Sequence, residues 1–209
     1  MMDMMIEYFS DFTLDKAIDM AGLVLGLIYL WLEFRASIWL WLVSIVMPIV
    51  HGYLYLVRGL YADFGMEVYY VLAAVYGYAM WRMARGRAGR AGEKAVERPI
   101  TRFPLRRVLP VTLIGLALWG AIYWILVTFT NSNVPLCDSF TTALSIVALW
   151  ALAQKYAEQW LLWLVVDAVC TVLYVYKQIP FTACLYGFYT IMAVLGYFYW
   201  LKKMRQQAA

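Results

Sequence analysis

The apolar residues of this chain fall into seven long runs separated by short polar or basic stretches. From these runs we predict helices over roughly residues 17–34, 37–57, 60–81, 108–130, 137–154, 158–176 and 181–201. Each run is close to the ~20 residues that an α-helix needs to cross a bilayer. The pattern therefore predicts an all-α integral membrane protein with seven transmembrane helices, preceded by a short amphipathic surface helix within residues 1–19.

The composition supports a membrane protein without a large soluble domain. Apolar residues make up 65% of the 209 residues and charged residues 14%, whereas a soluble domain carries about 25% charged residues. The first twenty residues are too acidic for a signal peptide, which starts with a basic stretch, so we expect the first span to be retained. Cys137, Cys170 and Cys184 have no metal-binding or redox spacing.

Basic residues are distributed unevenly between the two sides that the predicted helices define. With seven spans, 14 of the 17 Lys and Arg residues lie on one side, nine of them within residues 82–107. Cytoplasmic loops carry an excess of Lys and Arg, so we expect an outside N-terminus and a cytoplasmic C-terminus. The net charge of +4 then reflects membrane topology, and we expect no nucleic-acid partner.

Aromatic and small residues recur about 121 positions apart, with a slip of two residues near the end of each half. The matched segments are Trp39-Leu40 with Trp160-Leu161, Tyr53-x-Tyr55 with Tyr174-x-Tyr176, Ala62 with Ala183, and, after the slip, Gly77-Tyr78 and Trp81 with Gly196-Tyr197 and Trp200. Such a repeat makes spans 1–3 and 5–7 equivalent and parallel, the 3+1+3 pseudo-symmetric architecture of SWEET-type transporters. We therefore predict a three-helix bundle (1–81), a basic cytoplasmic linker (82–107), a connector helix (108–130) and a second three-helix bundle (131–209).

The sixth predicted span carries a stripe of aromatic and acidic side chains. Trp160, Trp163, Asp167 and Tyr174 are spaced by three, four and seven residues and share one helix face. A carboxylate inside a membrane is costly and usually faces a cavity or a partner, and aromatic faces attract cations. The stripe is typical of a site for a flat cationic ligand, or of a packing face on which Asp167 bonds to a neighbouring helix.

The remaining polar residues within the spans favour ligand binding over catalysis. Glu67 and Tyr70 share a face of the third span, although Glu67 is alternatively a solvated residue near the outer interface. No basic residue lies deep in a span, which disfavours an anionic ligand. His51 is the single histidine, and we interpret it as a packing residue. We expect no enzymatic activity, no metal site and no cofactor.

Several segments resemble the Pnu family of bacterial vitamin transporters. They are Gln159-Trp160-Leu161-Leu162-Trp163-Leu164-Val165-Val166-Asp167, which is similar to the family's Trp-x-x-Trp region, and the stretches 173–177, 141–145 and 59–63. The resemblance implies a multi-pass protein of the bacterial inner membrane, commonly a homotrimer. It also implies facilitated diffusion of an unphosphorylated vitamin, which a cytoplasmic kinase traps afterwards.

The resemblance also bears on the substrate. Nicotinamide riboside transporters of the family tend to carry glutamine before the tryptophan that is Trp150 here, whereas this chain has Leu149. The stretch 39–48 with Leu32-Glu33 is more similar to thiamine-type members, so we expect thiamine, with nicotinamide riboside or riboflavin as alternatives. Near the membrane midplane we expect a binding site formed by Trp160, Trp163, Asp167, Tyr174, Glu67, Tyr70, Trp41, Tyr53 and Thr142.

Two other kinds of function are compatible with the same residues. In a membrane scaffold or receptor that transports nothing, the aromatic residues would serve only packing and the membrane interface. In a proton-coupled exporter, Asp167 and Glu67 would act as proton relays, a common role for acids within spans.

Overall fold

The structure is a computed structural model that describes residues 14–57, 61–89, 98–130, 132–176 and 180–208. Within these ranges it forms α-helices and one turn of 3-10 helix, which confirms the all-α prediction. The helices are α1 (Leu14–Phe34), α2 (Leu40–Val57), α3 (Tyr61–Gly89), α4 (Val108–Phe129), α5 (Pro135–Ala153), α6 (Gln159–Tyr176) and α7 (Pro180–Ala208). Each predicted span coincides with one of these helices.

Five stretches of the described chain are long and apolar enough to cross a membrane. They are Leu40–Val57, Leu105–Phe129, Pro135–Ala153, Gln159–Tyr176 and Thr182–Gln207. Helix α4 has no buried residue within the chain, although its sequence is apolar on every side. A helix that is apolar all round is normally buried or in lipid, so the surface of α4 must be covered by lipid or by protein.

Helix α3 is longer than the predicted third span. We expected the span to end at Trp81 and a linker to begin at Arg82, but the helix continues to Gly89. Residues 82–89 are rich in Arg and Ala, which are strong helix formers, so the backbone stays helical after hydrophobicity falls. Residues 90–97 lie outside the described residues, as does most of the predicted surface helix within residues 1–19.

The chain divides into two compact units, Met1–Val75 and Tyr76–Ala209. In the first unit, α1 packs against α2. In the second unit, α4 packs against α5, α5 against α6, and α6 against α7. In these four pairs, helices that are consecutive in the chain are neighbours in space, as short connections favour.

The turns after α1 and after α5 repeat one hydrogen-bond pattern. Ala36 and Lys155 both have φ 54° and occupy the left-handed position that ends a helix in a Schellman motif. The backbone N–H groups of Arg35, Ala36 and Ser37 donate to Trp31, Glu33 and Leu32, as those of Gln154, Lys155 and Tyr156 donate to Trp150, Leu152 and Ala151. Each equivalent pair is 119 positions apart.

This turn register corrects the offset expected from sequence. At a uniform offset of 119 the slip disappears, and Trp41 corresponds to Trp160, Tyr55 to Tyr174, and Gly77 to Gly196. In aromatic-rich helices, tryptophan and tyrosine recur often enough to match at several neighbouring offsets. The backbone turns distinguish these offsets because only one alignment superimposes their hydrogen bonds.

Trp160 holds α6 closely against α7. A Cβ atom added to Gly196 would lie 2.6 Å from Cδ2 and Cε2 of the Trp160 ring. The same ring meets the edge of Trp200, with 5.9 Å between ring centroids and an interplanar angle of 86°. Glycine at this position lets the indole lie directly on the α7 backbone, as small residues do between membrane helices.

We expect Gly196→Ala to destabilise the protein by about 1–3 kcal/mol, because the added methyl group overpacks a filled contact. Gly187→Ala is the matched control on the same helix, since its Cβ would have a 3.9 Å contact with Thr171 Cγ2. Thermal unfolding of both variants in one detergent tests this contact. Equal melting temperatures for Gly196→Ala and the unmodified chain would contradict it.

Candidate functional site

The N-terminal half of α6 buries polar side chains inside an apolar helix. Gln159 is 0% exposed and Asp167 7% exposed, and Trp163 lies between them, one helical turn from each. The helix begins immediately after the turn that contains Lys155, so the position of this turn sets the position of the whole face. We call Gln159, Trp163 and Asp167 the α6 polar face.

Two members of the α6 polar face have polar atoms without a hydrogen-bond partner in the part of the chain that the structure describes. These atoms are Nε2 and Oε1 of Gln159 and Nε1 of Trp163. A buried polar group left unpaired costs about 1–3 kcal/mol, and buried polar side chains in native proteins are nearly always hydrogen-bonded. The α6 polar face therefore has unused donors and an unused acceptor for a bound molecule.

Asp167 is the charged member of the α6 polar face. The described Lys, Arg and His side chains form no ion pair with it. Its carboxylate interacts electrostatically with the phenol of Tyr189 on α7, and its backbone carbonyl accepts a hydrogen bond of 2.7 Å from Thr171 Oγ1. A buried carboxylate that has no cationic partner among the described side chains is suited to a ligand that supplies positive charge or hydroxyl groups.

The two outer residues of the predicted stripe pack between helices. Trp160 is 1% exposed and lies between Gly196 and Trp200, as described above. Tyr174 stacks on Tyr186 of α7, with 5.2 Å between ring centroids and an interplanar angle of 15°. The predicted stripe thus combines two roles, because its ends join α6 to α7 and its middle carries the unused polar groups.

Four of the predicted site residues lie in the first unit, and one of them, Glu67, is close to His51. Glu67 Oε1 lies 3.8 Å from His51 Nδ1, and the Glu67 side chain is only 13% exposed. Trp41 is buried, whereas Tyr53 is exposed and Tyr70 is 37% exposed. Glu67 is therefore largely shielded, and His51, which we had interpreted as a packing residue, lies beside it.

The hydroxyl of Thr142 is already engaged within its own helix. Thr142 Oγ1 donates to the backbone carbonyl of Asp138 at 2.7 Å, four residues earlier. This is the usual local bond of a threonine in a membrane helix. A ligand contact from Thr142 would have to replace that hydrogen bond.

The second half of the predicted linker is attached to the α5–α6 turn. Thr101 exchanges two backbone hydrogen bonds with this turn, donating to Lys155 and accepting from Ala157, each at 3.0 Å. Glu158 accepts hydrogen bonds from Arg102 Nη1 at 3.0 Å and from the Phe103 N–H at 2.7 Å. We call residues 98–107 the strap, because they fasten the turn from which α6 begins.

Further hydrogen bonds anchor both ends of the strap. Arg98 donates to Gln154 Oε1, and Arg107 donates to the Tyr156 hydroxyl at 2.8 Å. Burial lowers the pKa of Arg98, whereas hydrogen bonds to Glu158 and Tyr197 raise the pKa of Arg102. Both guanidinium groups stay charged at any physiological pH. The sequence indicated only a basic loop here, because the partners of the strap lie some fifty positions away.

The described structure defines a class of protein. Long apolar helices, one of them without a fully buried residue, carry a buried polar face, which is an arrangement typical of multi-pass membrane transport proteins. A family model described as nicotinamide mononucleotide transporter matches residues 16–202. The chain therefore belongs to this family of membrane transporters and is not an enzyme.

Individual relatives agree with the family assignment. The chain is 27% identical to the riboflavin/roseoflavin transporter RibM of Streptomyces davaonensis over 191 residues, covering 91% of this chain and 87% of RibM. It is 21% identical to the nicotinamide riboside transporter PnuC of Escherichia coli over 220 residues, covering 92% and 88%. A crystal structure of the vitamin B3 transporter PnuC has the same fold, with a TM-score of 0.65, 24% identity, and coverage of 88% of this chain and 80% of that one.

We expect Glu158→Ala to release the strap and to speed tryptic cleavage after Arg102, because proteases need a locally opened backbone. The substitution removes the acceptor of both Arg102 Nη1 and the Phe103 N–H. Timed trypsin digestion followed by mass spectrometry measures the rate. Glu158→Gln keeps an acceptor oxygen and should give an intermediate rate. Identical cleavage of Glu158→Ala and the unmodified chain would show that the strap does not depend on Glu158.

Proposed function

We propose that this protein is a passive uptake transporter for an unphosphorylated B vitamin, which binds at the α6 polar face. The observation that carries this proposal is a difference between the two halves of the chain. At the 119-residue offset, the halves agree at helix-packing positions and differ at the positions of the α6 polar face.

The packing positions are nearly identical in the two halves. The agreeing pairs are Trp41 with Trp160, Tyr55 with Tyr174, Gly77 with Gly196, and Trp81 with Trp200. The four tryptophans are 3% exposed or less, and both glycines are buried. This agreement supports a 3+1+3 repeat, with α4 as the connector. It also supports a packing role for Trp160, in place of the ring-stacking role that the sequence suggested.

The α6 polar face has no counterpart in the first half. Gln159, Trp163 and Asp167 correspond to Leu40, Ser44 and Pro48. Leu40 and Gln159 are both 0% exposed. Since leucine fills this buried position in the first half, packing alone does not require the amide of Gln159 in the second half. A buried amide costs desolvation free energy there, and a bound ligand is what would compensate for it.

The groups of this face fit one kind of ligand. The Trp163 ring offers a stacking surface and an N–H donor, Asp167 offers a negative charge, and the Gln159 amide offers both a donor and an acceptor. No Lys or Arg lies on the described α6 helix, so a phosphate group would have no cationic partner there. A polar, aromatic and unphosphorylated molecule matches these groups.

We propose nicotinamide riboside as the substrate. Its pyridinium ring is cationic, which suits Trp163 and Asp167, and its carboxamide can exchange two hydrogen bonds with the Gln159 amide. Similarity to relatives named for nicotinamide riboside and riboflavin favours these vitamins over thiamine, our first expectation. This similarity outweighs the presence of Leu149 at the position where nicotinamide riboside transporters of the family tend to carry glutamine. Riboflavin is the second candidate, because RibM is 27% identical to this chain.

Several features of the sequence-based prediction stay predictions. They are the inner-membrane location, the cytoplasmic C-terminus, the homotrimer, and later trapping of the vitamin by a kinase. The uneven distribution of Lys and Arg supports the orientation, because the positive-inside rule governs short loops.

We expect nicotinamide riboside to quench the intrinsic tryptophan fluorescence of the purified protein saturably, and Trp163→Phe to weaken its binding about tenfold. Loss of an indole that stacks on a cation removes about 1–2 kcal/mol, which is close to a factor of ten. Trp124→Phe is the matched control, since Trp124 is exposed on α4. Parallel titrations with riboflavin and thiamine identify the vitamin. Unchanged affinity in Trp163→Phe would move the site away from α6, and silence with all three would favour a scaffold.

We expect Gln159→Leu to lower vitamin affinity while keeping or raising the melting temperature, because leucine occupies the equivalent buried position at Leu40. The reverse change, Leu40→Gln, buries an amide where no ligand is expected and should cost about 1–3 kcal/mol of stability. Binding titration and thermal unfolding of both variants separate the two effects. A Gln159→Leu protein that binds normally but melts earlier would make Gln159 a packing residue.

A further inference from the structure

A cavity of about 480 Å³ lies between α4, α5 and the start of α6, on a different side of α6 from the α6 polar face. Leu161 lines it from the side of α6 opposite to Gln159 and Trp163, and Leu162 lines it from the edge of the α6 polar face. The remaining lining is largely aliphatic and aromatic, and includes Val111, Gly115, Leu144 and Val147. A polar vitamin would find few hydrogen-bond partners in such a cavity.

The cavity extends along α4 for the depth of one membrane leaflet. Its lining includes Val108 at the start of α4 and Trp119 in the middle of the helix. At 1.5 Å per residue these positions are about 16 Å apart, close to half of the ~30 Å hydrocarbon thickness. The deep end is closed by Trp119, whose Nε1 donates to Ser139 Oγ at 3.1 Å and whose ring meets the edge of Phe140.

The shallow end of the cavity lies beside an exposed arginine, Arg106. It is bordered by the 3-10 turn Leu105–Arg107, and Leu105 and Val108 on either side of Arg106 line the cavity. Glu158 also lines this end, but its carboxylate is bound by Arg102 and by the Phe103 N–H.

We propose that this cavity binds one anionic phospholipid, with an acyl chain along α4 and the phosphate at Arg106. Arg106 beside the rim matches the phosphate of such a lipid. The apolar walls and the depth of one leaflet match its acyl chain. The walls belong to apolar helices, and no residue of α4 is fully buried by the rest of the described chain. Basic pockets between membrane helices are known to bind anionic headgroups.

The test measures lipid binding to the purified full-length chain by native mass spectrometry. Phosphatidylglycerol and phosphatidylcholine with the same acyl chains are the two probes. We expect one tightly bound lipid per chain, with phosphatidylglycerol held at least fivefold more tightly. Arg106→Gln should remove this preference, because one arginine near a membrane surface is worth about a factor of five. Arg205→Gln, which changes an exposed arginine at the end of α7, should keep it.

The acyl-chain site is tested by filling the cavity. Gly115→Leu places a side chain inside it, whereas Gly120→Leu on the same helix points to a position with nothing within 4 Å. Gly115→Leu should abolish binding of both lipids, and Gly120→Leu should not. Val111→Phe fills the same space from the preceding helical turn and serves if Gly115→Leu unfolds.

Three results would overturn the proposal. They are equal affinities of the unmodified chain for the two lipids, lipid retention in both filled variants, and a change of oligomeric state in these variants with lipid binding unaffected. The last result would assign the cavity to a second copy of the chain.

Discussion

A tryptophan ring pressed onto a helix backbone fixes the position of α6. Trp160 lies on α7 at Gly196, where even a methyl group would come within 2.6 Å of the ring. The strap attaches to the turn just before this contact, through the backbone of Thr101 and the carboxylate of Glu158. The N-terminal end of α6 is therefore held by two elements, α7 and the strap. This fixes the positions of the buried polar groups of α6, as a binding site requires.

The free-energy cost of these polar groups supports the proposed binding role. A buried carboxylate, and an amide and an indole N–H that have no hydrogen-bond partner among the described residues, each raise the free energy of a protein without ligand. In the first half of the chain, the turn equivalent to the α5–α6 turn forms although the next helix carries Leu40, Ser44 and Pro48 in place of Gln159, Trp163 and Asp167. Under the proposed 3+1+3 repeat, shared packing residues and divergent polar residues are what we expect if the second half supplies the ligand contacts.

The α6–α7 interface and the α4–α5 interface of the second unit are packed differently. Between α6 and α7, aromatic and glycine contacts fill the interior, and the polar face lies among them. Between α4 and α5, the packing leaves a long cavity with a basic rim. A transporter must change shape in the membrane, and a lipid bound beside α4 would couple this region to the surrounding leaflet without contacting the vitamin.

Hydropathy by itself determined the helices of this protein, their approximate ends and its membrane class, because a bilayer demands about 20 apolar residues for each crossing. Helical spacing also indicated the stripe from Trp160 to Tyr174. Only the tertiary structure showed that Trp160 and Tyr174 pack against α7, while Trp163 keeps an indole N–H without a hydrogen-bond partner in the described chain. Residues on one helix face have the same spacing whether they meet a ligand or a neighbouring helix. The tertiary structure alone decided the 119-residue register, which rests on the hydrogen bonds of the two turns. It also decided the strap and the pairing of His51 with Glu67, since these rest on contacts between residues on different segments of the chain.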